Sequence, residues 1–121
     1  MRVFILALAL TGCATAASAP PGSNFGREVA GRLPGTARSC IDTIPSQSVR
    51  ALDSATLGYD QGPVLWANRL RSHCPGLSPA ITVIIESRTG QYCSGDHVRG
   101  LDQGGNIPGP VCLLGEWTPY R

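Results

Sequence analysis

Ile81-Thr82-Val83-Ile84-Ile85-Glu86 carries the clearest structural signal in the chain. Ile81, Val83 and Ile85 fall on one side and Thr82 and Glu86 on the other, the alternation of a strand with one buried face. Thr89-Gly90 turns the chain, and Gln91 to Arg99 runs back. Upstream, Val64 to Arg71 shows the same period of two. Val64, Trp66 and Leu70 share one face, while Arg69 and Arg71 lie on the other. Asp60-Gln61-Gly62-Pro63 turns into this strand and Cys74-Pro75-Gly76 closes it. Two shorter strands, Val49–Leu52 and Thr56–Tyr59, flank the turn residues Asp53-Ser54. A last strand, Val111–Trp117, follows a loop at 100–110 that holds four Gly and two Pro. Six short strands joined by tight turns predict an all-β fold, a small antiparallel meander curled into a barrel or sandwich.

Five cysteines punctuate the chain. Cys40, Cys74, Cys93 and Cys112 fall in the strand region, and an even count in a small exported domain reads as two disulfides. Strand direction ranks the three possible pairings. If Val49–Leu52 runs up, Val64–Arg71 also runs up and leaves Cys74 at the top. Ile81–Glu86 runs down, so Cys93 is near the bottom. The return strand climbs again, so Cys112 starts its strand at the top. Cys40, ahead of the first upward strand, lies low. Bridged α-carbons lie within about 7 Å, which favours Cys40–Cys93 and Cys74–Cys112. The runner-up is Cys74–Cys93 with Cys40–Cys112. A zinc site is the rival reading, with His97 four residues after Cys93 and His73 beside Cys74. It lacks the close C-x₂-C ligand pair such sites use. No metal or other cofactor is expected.

The fifth cysteine, Cys13, sits elsewhere. Met1-Arg2 is a short positive start, and Val3 to Leu10 is an uncharged apolar run of eight residues. A membrane span takes about 20 residues, whereas an export-signal core takes about 7–15. Two processing readings compete. Ala14-Thr15-Ala16 and Ala17-Ser18-Ala19 fit ordinary signal cleavage, although Pro20 hinders a cut after Ala19. Leu10-Thr11-Gly12-Cys13 resembles the lipobox of bacterial lipoproteins. That resemblance implies that Cys13 becomes the first mature residue and carries lipid. Ala14, rather than Asp, after it implies sorting to the outer membrane, facing the periplasm; the alternative is a soluble periplasmic protein.

Residues 14–39 are rich in Ala, Pro, Gly and Ser and show no periodic apolar face. They read as a flexible tether with an end-to-end distance of about 25–30 Å. Phe25 to Leu33 has the makings of one weak helical turn or two, opposed by Gly26 and Gly31. The expected organisation is a signal peptide at 1–12, a tether at 13–39 and a disulfide-braced β domain at 40–121.

Composition excludes more than it assigns. A chain of 121 residues holds one domain at most. A net charge of +2 is too small to argue for nucleic acid. All ten basic residues are Arg, scattered along the chain, which fits a coding bias better than a phosphate site. The densest polar stretch is Tyr92 to Gly100, where Ser94, Asp96, His97 and Arg99 crowd together. A hydrolase would use Ser94 or a Cys as nucleophile and His97 as base. No G-x-S-x-G elbow is present, and Asp96 is equally a turn residue that caps backbone amides. Tyr59, Trp66, Trp117 and Tyr120 would form either a binding surface or, at alternating strand positions, the core.

The order Cys40-Ile41, Arg69-Leu70, Cys74-Pro75-Gly76-Leu77, Cys93-Ser94-Gly95-Asp96 and Cys112-x-Leu114-Gly115 resembles a family of small exported alphaproteobacterial proteins, several of them lipoprotein candidates. The resemblance spans residue 40 to about 119. It implies export and disulfides and supplies no catalytic residue. The expectation is a non-enzymatic envelope lipoprotein with a structural or interaction role, contacting the membrane through its lipid and another envelope protein or glycan. The alternative is a secreted ligand-binding or enzyme-inhibitory β module.

Overall fold

The computed structural model describes residues 23–102 and 107–121. Cys13, and with it the signal and lipid-attachment reading, lies outside the described residues. One short helix, α1 (Asn24–Glu28), precedes nine strands: β1 (Cys40–Asp42), β2 (Arg50–Ala51), β3 (Thr56–Gln61), β4 (Val64–Arg69), β5 (Thr82–Glu86), β6 (Gln91–Cys93), β7 (His97–Leu101), β8 (Cys112–Leu113) and β9 (Trp117–Tyr120). Seven of them form one antiparallel sheet in the order β8-β7-β5-β2-β3-β4-β9, curled into a half-barrel. β1 and β6 form a separate two-stranded ribbon.

Two expected strands are each divided in the structure. Gln91–Arg99 breaks at Gly95, which adopts φ +89°, a backbone region closed to most side chains. Asp96 locks that turn by accepting a hydrogen bond from the Cys93 amide at 2.8 Å. Val111–Trp117 breaks at Gly115, where a Cβ would stand 2.2 Å from the Arg69 carbonyl oxygen. Asn68 grips this bend from both sides. Its Nδ2 donates to Gly115 O and its Oδ1 accepts from Gly115 N, both at 2.8 Å.

The concave face holds the main core, built from Ile41, Leu57, Tyr59, Trp66, Val98, Leu114 and Trp117 among others. Both cysteine bridges belong to this domain. Cys40 faces Cys93 across the β1–β6 ribbon with α-carbons 4.0 Å apart. Cys74 joins Cys112 at 6.0 Å. Such bridges form and persist in oxidising, exported compartments.

The segment expected as a loose tether is docked from Ser23 onward. Ser23 caps α1, its Oγ accepting from the Gly26 amide at 2.9 Å. Phe25 packs with Leu52 and Ala67 on the convex face, against Val29 and Tyr120. Residues 33–38 then run antiparallel along the outer edge of β9. Leu33 and Arg121 exchange backbone hydrogen bonds, Arg38 and Trp117 do the same, and the Gly35 amide donates to Pro119 O. The physical reason is a flat patch beneath the helix. Gly58 and Ala67 are small and outward-facing, so an aromatic ring can approach the sheet. The strap also covers the row of backbone groups that an edge strand exposes.

Candidate functional site

The polar stretch 92–99 does gather at one place. Ser94, Gly95, Asp96 and His97 line a surface groove of about 430 Å³ with Glu86, Ser87 and Arg88 from the end of β5 and its turn. Pairing of β5 with β7 sets His97 opposite Glu86. Glu86 forms an ion pair with Arg99 at 2.9 Å, and its second oxygen stands 3.7 Å from His97 Nδ1. The Nε of Arg99 is buried and has no hydrogen-bond partner among the described residues.

These groups are not wired as nucleophile and base. The Ser94 hydroxyl accepts from Arg71 Nη2 at 3.2 Å, and Asp96 is committed to the Cys93 amide. No hydrogen bond joins Ser94 to His97 among the described residues. A covalent mechanism needs that contact, or one water in its place.

A serine–histidine contact occurs elsewhere, where spacing did not point to it. Ser54 Oγ and His73 Nδ1 are 3.0 Å apart on the surface. The two residues meet because the Cys74 amide donates to Ser54 O at 2.8 Å. Their separation of 19 positions gives no sequence signal. The neighbouring acid, Asp53, caps the Ala55 amide, and no hydrogen bond joins it to His73 among the described residues. The proposed zinc ligands are engaged otherwise: Cys74 and Cys93 are disulfide-bonded. Among the described residues no cluster of three His, Cys, Asp or Glu is placed to hold a metal.

The aromatic residues are core. Tyr59 and Trp117 are fully buried and Trp66 nearly so. Tyr92 stands edge-on to Tyr59 at 5.9 Å and stacks with Trp117 at 6.5 Å. Burial pushes the Tyr92 phenol above its ordinary pKa, with the Tyr59 charge as a smaller cause. The polar handles of Tyr59, Trp66 and Trp117 find partners. Tyr59 Oη accepts from the Ile44 amide at 2.6 Å, Trp117 Nε1 donates to Tyr92 O at 3.0 Å, and Trp66 Nε1 donates to Gln61 Oε1 at 3.0 Å. Tyr120 is half-buried and meets Phe25 edge-on at 5.8 Å.

A second cleft, of about 510 Å³, lies between α1 and β2, with Pro79 at its far wall. Its charge is internally balanced. Arg50 pairs with both carboxylate oxygens of Glu28, at 2.8 and 3.0 Å, and with Asp60 at 3.1 Å. The hydrogen bond from Arg50 holds the Glu28 carboxyl below the usual range, and the same contacts push the guanidinium up.

No protein-family model, curated protein or solved structure matches this chain, so its functional reading rests on its own residues.

Proposed function

We propose that this protein is an envelope lipoprotein: a small exported β domain held at a membrane by lipid on Cys13, with a structural or interaction role rather than a catalytic one. One observation carries the reading. All four cysteines of the domain are taken up in Cys40–Cys93 and Cys74–Cys112. That leaves Cys13 as the odd thiol, at the end of an eight-residue apolar run. Two or more acyl chains on one residue anchor a protein stably without a transmembrane segment. Ala14 favours the outer membrane, by resemblance to lipoproteins sorted there. The partner is another envelope protein or a glycan.

Burial of Tyr59, Trp66 and Trp117 supports this reading over an aromatic-lined ligand module. The uncoupled geometry at Ser94 and His97 supports it over a hydrolase. Fractionation tests the anchor. The full chain is expected in the membrane fraction and its Cys13→Ser variant in the soluble periplasmic fraction. A variant that still sediments with membranes overturns lipid attachment at Cys13. Cross-linking of the full chain in the native envelope identifies the partner. Recovery of the domain with no envelope component cross-linked to it argues against an interaction role.

A further inference from the structure

The two disulfides sit in different surroundings. Cys74 and Cys112 are buried, at 0% and 7% exposure, and both belong to the main core. Cys40 and Cys93 are half-buried and stand outside it. The ribbon explains the difference. Strand alternation turns Ile41 and Tyr92 toward the core, so Cys40 and Cys93 face the other way, together with Asp42 and Gln91. The ribbon is also tied down independently of its bridge. Trp117 Nε1 donates to Tyr92 O, Gln61 Nε2 donates to Asp42 O at 2.9 Å, and the Ser94 amide donates to Ser39 O at 2.7 Å. Ile41 is buried beneath it.

Thiol–disulfide exchange requires a thiolate to reach a sulfur of the bridge. Burial closes that approach at Cys74–Cys112, and partial exposure leaves it open at Cys40–Cys93. We propose that Cys40–Cys93 is a redox-exchange site on a domain that stays folded, that Cys74–Cys112 is the permanent brace, and that the reactant is an exposed dithiol of another exported protein. One thiolate of the dithiol attacks a bridge sulfur, the S–S bond breaks and the other cysteine leaves as a thiolate. The second thiolate of the dithiol then attacks the mixed disulfide and displaces the remaining cysteine. Two electrons pass to Cys40 and Cys93, which take up the two protons the dithiol gives up, and the reactant is left as a disulfide. The ribbon sets the need for two thiols. It keeps the displaced cysteine opposite its old partner, with α-carbons 4.0 Å apart. The bridge therefore re-forms and expels a reactant that has only one thiol.

Graded reduction of the full chain tests this, with dithiothreitol as the dithiol probe and glutathione as the monothiol one. Thiols are alkylated at each step while near-ultraviolet dichroism is followed. Each of the four cysteines falls on its own tryptic peptide, at 39–50, 72–88, 89–99 and 100–121. Dithiothreitol is expected to open Cys40 and Cys93 together, at least about tenfold faster than Cys74 and Cys112. The native spectrum is expected to last until the second pair opens. Glutathione at the same thiol concentration is expected to give less than about a tenth of that labelling. The double variant Cys40→Ala with Cys93→Ala is expected to keep the native spectrum. Opening of both bridges at one rate, opening of Cys74–Cys112 first, or loss of the spectrum with the first pair overturns the proposal. So does a double variant that fails to fold. A stable glutathione adduct at Cys40 or Cys93 overturns the need for a dithiol.

Discussion

Asn68 shows how one side chain holds a fold of short strands together. It is fully buried in β4, yet it is polar and sits in a position that a strand pattern fills with an apolar residue. Its amide copies a backbone ladder, donating to and accepting from Gly115 where β8 gives way to β9. Removing it leaves two backbone groups with no partner, and each buried unsatisfied group costs about 1–3 kcal/mol. Asn68→Ala is expected to lose about 2–4 kcal/mol, read as a lower urea midpoint at unchanged slope. Glu28 makes a smaller, pH-dependent contribution. Arg50 lowers its pKa below the ordinary 4.5. Its stabilisation is therefore present above the unfolded value and is lost as pH falls through the depressed native one. Both partners are more than a third exposed, so the effect is below about 1 kcal/mol. The stability gap between Glu28→Gln and the native chain is expected to close as pH drops below 4.5. A gap that stays constant to low pH contradicts the pairing.

At the scale of elements, the strands were legible because their faces alternate, as in Ile81–Glu86. The breaks at Gly95 and Gly115 were not. The first depends on an Asp96 side chain turning back to the Cys93 amide, and the second on a close approach of two distant backbones. Nor was the burial of β4 on both faces, where Leu65 and Ala67 are as covered as Trp66. Such a face reads as solvent-exposed until its cover is known. That cover is α1, a helix of five residues with a glycine inside, too short to form on its own. Only tertiary contact makes it stable, so its own sequence carries little of the signal. Phe25→Ala is expected to cost about 3 kcal/mol and to free residues 23–32 from the sheet. The check is hydrogen exchange. The Arg27 and Val29 amides, bonded to Ser23 O and Phe25 O, should lose protection while β3 and β4 keep theirs. Loss of protection throughout the sheet would instead make α1 part of one cooperative unit.

For the whole molecule, strand direction proved sturdier than strand adjacency. β5 leaves meander order and pairs with β2 instead of β4. β2 and β4 flank β3 antiparallel and so run the same way. β5 therefore runs down in either arrangement, and the cysteine pairing argued from direction survives the change of neighbour. The bridges span 53 and 38 residues. Loops of that length correspond to about 4 kcal/mol each in the chain-entropy account. In a domain of this size that rivals the whole net stability. Reduction is expected to unfold the domain at moderate temperature, with loss of near-ultraviolet dichroism from the buried Trp66 and Trp117. Retention of a native spectrum after complete reduction would show that the core alone suffices. Activity was the least legible property. The polar groups at 94–99 cluster in sequence and again in space, where Ser94 meets Arg71, Asp96 holds the Cys93 amide and Arg99 pairs with Glu86.

The central claim is that four cysteines brace the domain and the fifth anchors it. Intact mass of the mature protein purified from membranes, after alkylation without reductant, tests both halves together. The expected result is a chain beginning at Cys13, heavier by its lipid, with no alkylated thiol. A chain beginning at Ala17 or Pro20 without lipid, or alkylation at Cys74 or Cys112, would contradict it.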